Sequence, residues 1–133
     1  MWLLKTEPGT YSYDDLERDG HAVWDGVTNP VALKNLRAMK VGERAFVYHT
    51  GDERAVVGRA KVVKAAYPDP KGGGERLVVV DLEPAGRLAQ PVTLETIKGL
   101  PVFAESPLVR QGRLSVVPLT AAQVKAIESG GQA

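Results

Sequence analysis

The sequence predicts an α+β domain in which several short helices surround a mostly antiparallel, partly closed sheet of about five or six strands. Apolar and β-branched runs recur along the chain between turns rich in glycine and proline. The helical segments are short and do not alternate regularly with strands, which argues against a doubly wound parallel fold. The 133 residues contain no repeat or linker, so we expect a single domain, 1–133.

The composition also limits the class of protein. With 44% hydrophobic and 25% charged residues, it is typical of an ordinary soluble globular protein. The absence of cysteine excludes disulfides, thiolate zinc sites and thiol nucleophiles. No apolar run reaches the roughly 20 residues of a bilayer span, and Lys5 and Glu7 interrupt the apolar start, so we expect a cytoplasmic protein without a signal peptide. A net charge of +1 predicts weak non-specific attraction to nucleic-acid phosphates.

The chain begins with a predicted strand and a short helix. The strand, 2–5, ends before the turn at Pro8-Gly9, where proline removes a backbone donor. Ser12 and Asp15 have the spacing of a capping box, which predicts a helix over residues 13–18.

A second helix is predicted from Asn29-Pro30, because asparagine suits the N-cap and proline suits the first helical position. It should cover residues 30–39. One face of this helix collects the apolar residues Ala32, Leu36 and Met39, and we expect that face to be buried.

Three strands should follow, joined by two hairpins. Residues 44–50 and 55–66 are rich in β-branched and aromatic side chains and flank a polar, glycine-containing turn. Gly58 is the expected place for the second of these strands to bend. The Pro- and Gly-rich segment 67–74 lacks a G-x-x-x-x-G-K-[ST] pattern and precedes another strand, 76–83. We therefore expect a hairpin tip there and no phosphate-binding loop.

The last third combines turns, short helices and one more strand. A turn at 83–86 and a polar link should end the preceding strand. The elements expected after it are a helix at 94–98 capped by Thr93, a helical turn after Ser106-Pro107, a strand at 113–117, and a helix at 121–128 capped by Thr120 with Val124 and Ile127 facing inward.

The stretch 23–50 concentrates the residues that could form a polar and aromatic pocket. Trp24 is either a core anchor or a stacking face for a flat ligand such as a nucleobase. Asn29 is explained as an N-cap, although its amide donors would remain free to face a base edge. Tyr48 and His49 are strand neighbours on opposite faces, so only one can enter a given pocket. His49 also fits the role of a satisfied structural histidine.

Two kinds of catalytic or structural site are disfavoured. Ser115, His49 and Asp25 supply the residue types of a hydrolytic triad. The chain has no G-x-S-x-G elbow, however, and Ser115 lies in an apolar strand pattern. Two histidines without a cysteine make a structural zinc site improbable, and we expect neither a metal nor a cofactor.

Five segments together resemble the EVE domain family: MWLLKTEP, VWDGVTNPVALKNLRAMKVGE, YHT, YPDP and VRQGRLSVVPLT. They occur in the family's order and cover nearly the whole chain. The resemblance implies a PUA-like fold, a small β-barrel flanked by short helices, related to ASCH domains and to YTH readers of methylated adenine. It also implies a pocket for a modified nucleobase, such as a modified cytosine in DNA or a modified base in RNA.

The resemblance assigns a set of base-binding residues from four segments: Lys5, Glu7, Pro8, Trp24, Gly26, Val27, Asn29, Tyr48, His49, Arg113, Leu114 and Ser115. Contacts to the nucleic-acid backbone are expected from Lys34, Arg37 and Arg110. The family pattern often has arginine where this chain has Thr28 and Leu33. Two cations are therefore missing here, which bears on the substrate and on the backbone contacts.

The resulting expectation is a monomer that binds a modified base in DNA or RNA without changing it chemically. Two alternatives stay open. An enzyme acting on modified nucleosides would need a general acid or base, for which Glu7 and His49 are the candidates. A protein-interaction adaptor would retain the pocket only as a vestige.

Overall fold

Six strands form one sheet in the computed structural model, which describes residues 1–130. The strands are β1 (Trp2–Thr6), β2 (Ala22–Trp24), β3 (Arg44–His49), β4 (Ala55–Pro68), β5 (Val78–Thr93) and β6 (Val116–Pro118). The helices are α1 (Tyr13–Asp19), α2 (Pro30–Ala38), α3 (Leu94–Lys98), α4 (Pro107–Arg110) and α5 (Ala121–Glu128), with a 3-10 turn at Pro101–Phe103. None of these helices is long and apolar enough to cross a membrane.

The sheet is mixed but mostly antiparallel. Its strand order is β2-β5-β4-β3-β1-β6, so β2 and β6 are its two ends. Strand β1 runs parallel to β3, and the other four pairings in the described part of the chain are antiparallel. Several register shifts interrupt the long β4–β5 and β3–β4 ladders, and such irregularities bend a sheet. The predicted α+β class and curled sheet are confirmed.

The helix caps form where the sequence predicts them. The Asn29 side-chain oxygen accepts the backbone N–H groups of Val31 at 2.9 Å and Ala32 at 3.1 Å. Ser12 and Asp15 close the predicted capping box of α1. The buried face of α2 contains Leu33 in addition to the predicted residues Ala32, Leu36 and Met39.

Tyr13 anchors α1 on the sheet. Its ring lies against Gly58, where an added Cβ would stand 2.5 Å from the ring carbon Cζ. Its hydroxyl donates to the carbonyl of Arg59 at 2.6 Å, and its backbone N–H donates to His49 Nε2 at 3.0 Å. The ladder shifts register between Val56 and Gly58, so an irregularity lies where the bend is predicted.

The predicted turn at 83–86 is wrong, because β5 continues to Thr93. Pro84 lies beside the register shift between Arg59 and Ala60, and proline is tolerated in strands at such bulges. Strand β2, which pairs with β5, was not predicted, since three residues are too few to give a periodic pattern.

The strand predicted at 113–117 begins too early, since β6 starts at Val116. The backbone N–H of Leu114 donates to the carbonyl of Gln111 at 2.9 Å, which closes a turn before the strand. In α5, Ile127 is buried as predicted, whereas Val124 is half-buried. Gln123 is buried instead, because its side chain caps the helix and donates to the carbonyl of Val102 at 3.1 Å.

Candidate functional site

A cavity of about 590 Å³ opens where the carboxyl end of β1 lies near β2. We call it the aromatic cavity. Its lining comes from β1 and the following loop, from the end of α1 and from the stretch around β2, namely Lys5, Thr6, Glu7, Thr10, Tyr11, Asp19, His21, Ala22, Val23, Trp24, Asp25 and Gly26. It therefore brings together four residues of the predicted site: Lys5, Glu7, Trp24 and Gly26.

Local hydrogen bonds hold the loop after β1 at the cavity. The backbone N–H groups of Thr10 and Tyr11 both donate to the carbonyl of Glu7 at 2.9 Å. The Thr6 hydroxyl donates to the carbonyl of Tyr11 at 2.6 Å. Short-range bonds of this kind close a compact loop, so Tyr11 has a fixed position at the cavity wall.

The aromatic lining consists of Trp24 and Tyr11. Trp24 lines the cavity but is only 7% exposed and belongs to the hydrophobic core. The Tyr11 ring meets it edge-on, with the ring centroids 6.3 Å apart and the planes at 85°. Tyr11 is half-buried and supplies the rest of the aromatic surface.

The Tyr11 hydroxyl is fixed as a hydrogen-bond donor. It donates to Asp19 Oδ2 at 2.9 Å. Burial and this bond raise the pKa of Tyr11 to about 12, so the phenol stays protonated through the neutral range. The ring is consequently oriented from both of its ends, through the loop backbone and through Asp19.

The aromatic cavity is lined by three carboxylates, Glu7, Asp19 and Asp25, and among residues 1–130 Lys5 is its one lysine or arginine. Asp19 pairs with Arg18 at 2.9 Å. Asp25 pairs with Lys71 at 2.8 Å. The carboxylate of Glu7 has no hydrogen-bond or ion-pair partner among residues 1–130. The Lys5 ammonium donates to the carbonyl of Gly112 at 2.9 Å, and burial lowers the pKa of Lys5.

A buried carboxylate lies behind one wall of the aromatic cavity. Asp81 on β5 is 8% exposed, and its Oδ2 lies 3.0 Å from Nε2 of His21. The Tyr67 hydroxyl donates to the other oxygen, Oδ1, and this bond raises the pKa of Tyr67 to about 12. The only sequence signal for this group is an aspartate inside the apolar run 78–82, since a carboxylate there needs buried partners.

A smaller cavity of about 290 Å³ lies next to Gly112. We call it the arginine cavity, and its lining residues are Asn29, Val31, Gln111, Gly112, Arg113 and Leu114. The bond from Lys5 to the carbonyl of Gly112 connects the walls of the two cavities. Within the described chain, the amide nitrogen of Asn29 and the guanidinium of Arg113 make no hydrogen bond, so both can meet a ligand.

The remaining residues assigned by the resemblance line neither cavity: Pro8, Val27, Tyr48, His49 and Ser115. Tyr48 is 3% exposed and lies under the Lys5 ammonium, 5.6 Å from nitrogen to ring centroid. Both ring nitrogens of His49 bond to protein, Nε2 to the Tyr13 N–H and Nδ1 to Glu53 at 2.7 Å. The Ser115 carbonyl accepts the backbone N–H of Lys5 at 2.9 Å.

The three cations expected at the nucleic-acid backbone differ in their contacts. Arg37 donates to the carbonyl of Arg76 at 2.7 Å, and Arg110 pairs with Glu105 at 2.9 Å. Lys34 is exposed, and no residue in 1–130 pairs with it. At the positions where the family pattern often has arginine, Thr28 is exposed and Leu33 is 2% exposed.

The EVE domain model matches residues 1–130. Chicken thymocyte nuclear protein 1 is 42% identical over 80 residues, an alignment that covers 51% of this chain and only 33% of the relative. The corresponding mouse protein is 32% identical over an alignment of 154 residues, gaps included, and this alignment covers 90% of this chain and 68% of the relative.

Solved structures resemble the whole chain. A protein from Rhodopseudomonas palustris superposes with a TM-score of 0.91 and 38% identity, covering 98% of this chain and 91% of that one. Human THYN1, solved in complex with DNA containing 5-methylcytosine, superposes with a TM-score of 0.85 and 29% identity, covering 99% and 97%. An ASCH protein from Zymomonas mobilis, at 13% identity and a TM-score of 0.62, shares the fold. The chain belongs to the EVE domain family.

Proposed function

We propose that this chain is a single EVE domain that binds a modified nucleobase of DNA or RNA in the aromatic cavity and leaves the base chemically unchanged. The observation that carries the proposal is the cavity itself, in which two aromatic rings stand beside unpaired polar groups. Sites for flat ligands combine such apolar walls with a few placed polar groups. A homologous chain, human THYN1, has been solved with DNA containing 5-methylcytosine.

The distribution of charge supports base binding over phosphate binding in this cavity. Lys71 and Arg18 pair with Asp25 and Asp19, so Glu7 is the cavity carboxylate without a partner in residues 1–130, and its charge repels a phosphate. Two cations without partners in the described part of the chain, Lys34 and Arg113, lie outside it. A base can therefore enter the aromatic cavity while its phosphates stay near the arginine cavity.

Binding without catalysis is supported by the state of His49. Both of its nitrogens are bonded to protein and its ring is outside the aromatic cavity, so it is poorly placed for proton transfer. Glu7 remains the other candidate acid or base. Mass spectrometry of the ligand after incubation should return the unchanged base, whereas a product would favour the enzyme.

The test of the proposal compares oligonucleotides that differ by one group. Single strands with one 5-methylcytosine should bind about fourfold tighter than the same strands with cytosine, because burial of a methyl contributes about 0.8 kcal/mol. Duplexes should bind more weakly, since extrusion of a base costs a few kcal/mol. Equal affinities for the modified and unmodified strands would argue against a pocket for the modification.

Tyr11 provides a matched pair of variants for this titration. Tyr11→Ala removes one of the two aromatic rings that line the cavity, and loss of a stacking ring weakens binding by about 1 to 3 kcal/mol per base. Tyr11→Phe keeps the ring and removes only the bond to Asp19. We therefore expect a loss of at least fivefold for alanine and a much smaller loss for phenylalanine, at an order-of-magnitude level.

Asn29 offers a test that separates its two roles. Asn29→Asp keeps an equally good N-cap but removes the amide donors, so stability should be unchanged while binding weakens. Asn29→Ala should also lower the free energy of unfolding by about 1 kcal/mol. Thermal unfolding and oligonucleotide titration of both variants measure the two effects. Unaltered binding by the aspartate variant would restrict Asn29 to capping.

Thr28 is the exposed position where the family pattern often has arginine. Thr28→Arg should tighten binding and steepen the salt dependence, by about 0.7 in the slope of log affinity against log salt for one added contact to a single strand. Thr28→Gln is the control of similar length without charge. A slope that changes equally in both variants would show that position 28 lies away from the phosphates.

A further inference from the structure

His21 lines the aromatic cavity, and one of its ring nitrogens is hydrogen-bonded to protein. Its Nε2 lies 3.0 Å from Oδ2 of Asp81, while its side chain is 47% exposed and lines the cavity. No residue in the described range 1–130 forms a hydrogen bond with its Nδ1. The ring thus connects a buried carboxylate to the open space of the site.

The partner of Nε2 decides which nitrogen carries the hydrogen. A carboxylate can only accept, and a neutral imidazole has one donor and one acceptor nitrogen. The oxygen Oδ1 of Asp81 already accepts the hydroxyl of Tyr67, and the raised pKa of Tyr67 keeps that donor protonated. In a neutral His21, Nε2 therefore donates to Asp81, and Nδ1 remains an acceptor.

We infer that His21 is a specificity-determining residue whose Nδ1, oriented by Asp81, accepts a hydrogen bond from the exocyclic amino group of the bound base. This deepens the proposed function and rests on it. The ligand class is an amino-bearing base, such as a cytosine modified at carbon 5, in preference to a base with a carbonyl at the same place. A carbonyl oxygen facing Nδ1 would set two acceptors against each other and leave both unpaired, which is costly.

The experiment compares 5-methylcytosine with thymine in otherwise identical single strands. The two bases carry the same methyl group and differ on one edge: 5-methylcytosine has an amino group at position 4 and an acceptor at N3, and thymine has a carbonyl at position 4 and a donor N3–H. Wild type should prefer 5-methylcytosine by about fivefold, the factor expected from one hydrogen bond.

Two variants test the origin of that preference. His21→Phe keeps a ring at the cavity wall but removes both nitrogens, so the preference for 5-methylcytosine over thymine should disappear. Asp81→Asn should reverse it. The hydroxyl of Tyr67 would donate to the amide oxygen, the amide N–H would face Nε2, and the hydrogen of His21 would move to Nδ1. A merely structural role of Asp81 would not change the sign of the preference.

The outcomes separate this inference from the proposed function. A wild-type protein that binds 5-methylcytosine and cytosine strands equally overturns the proposed function, and one that binds thymine strands equally as well overturns both. A protein that binds 5-methylcytosine over cytosine, but whose preference against thymine is absent or survives His21→Phe, overturns the role of His21 alone. Circular dichroism shows whether Asp81→Asn is folded, and His21→Phe decides the matter if it is not, because His21 is exposed.

Discussion

Replacement of Trp24 by alanine should abolish base binding and lower the free energy of unfolding by about 3 to 5 kcal/mol. Trp24 is 7% exposed and packs in the hydrophobic core, so truncation leaves a void under the cavity wall. The same change removes the ring against which Tyr11 packs. Denaturant unfolding measures the loss of stability, and titration with a 5-methylcytosine strand measures the loss of binding.

The other tryptophan is the control for this variant. Trp2 is half-buried on β1, lines neither cavity, and donates from its indole to Glu43 Oε1 at 3.3 Å. Trp2→Ala should lower stability less and keep the preference for the modified strand. If Trp24→Ala is too unstable to study, Trp24→Phe retains an aromatic ring and should bind with reduced affinity. Wild-type affinity in a folded Trp24→Ala protein would show that the base binds elsewhere.

Gly58→Val should destabilise the protein by about 3 kcal/mol or more. A Cβ at this position would stand 2.5 Å from the Tyr13 ring, so α1 would have to move off the sheet. Overpacking of a core typically costs about 1 to 3 kcal/mol, and loss of a buried hydrogen bond adds to that cost. The bond at risk joins the Tyr13 hydroxyl to the carbonyl of Arg59 at 2.6 Å.

The effect of Gly58→Val should extend to binding, because α1 carries Asp19 at its end and follows the loop of Tyr11. For stability alone, Gly112→Ala is the control, since a Cβ at Gly112 meets open space. It should change the free energy of unfolding by less than about 0.5 kcal/mol. Similar stabilities for the two glycine variants would contradict the assigned packing of Tyr13 against Gly58.

The features that the sequence predicts well are those decided by neighbouring residues. The caps at Ser12, Asn29 and Thr120 each depend on a side chain and the backbone N–H groups two or three residues later, so they are visible in the sequence. The extent of β5 is decided by the long partner strand β4, which accommodates Pro84 at a bulge. Local turn signals at Pro84 and Gly86 therefore gave the wrong boundary.

The residues of the candidate site likewise fall into two groups, those that the sequence predicts and those that it does not. Lys5, Glu7 and Trp24 occur in the family motifs, and the structure places them around one cavity. His21 and Asp81 occur in none of those motifs, and their contact joins residues 60 positions apart in the sequence. That contact arises because β2 pairs with β5, and a strand of three residues leaves no periodic signal.

Fluorescence of Trp24 during ligand binding tests most directly whether a modified base occupies the aromatic cavity. Trp2→Phe leaves Trp24 as the only tryptophan, since the sequence contains two. Titration with a strand containing one 5-methylcytosine should change the emission of Trp24 with the same midpoint as binding measured by anisotropy. The midpoint for the unmodified strand should lie at an about fourfold higher concentration. Binding by anisotropy with no change in Trp24 emission would contradict the account.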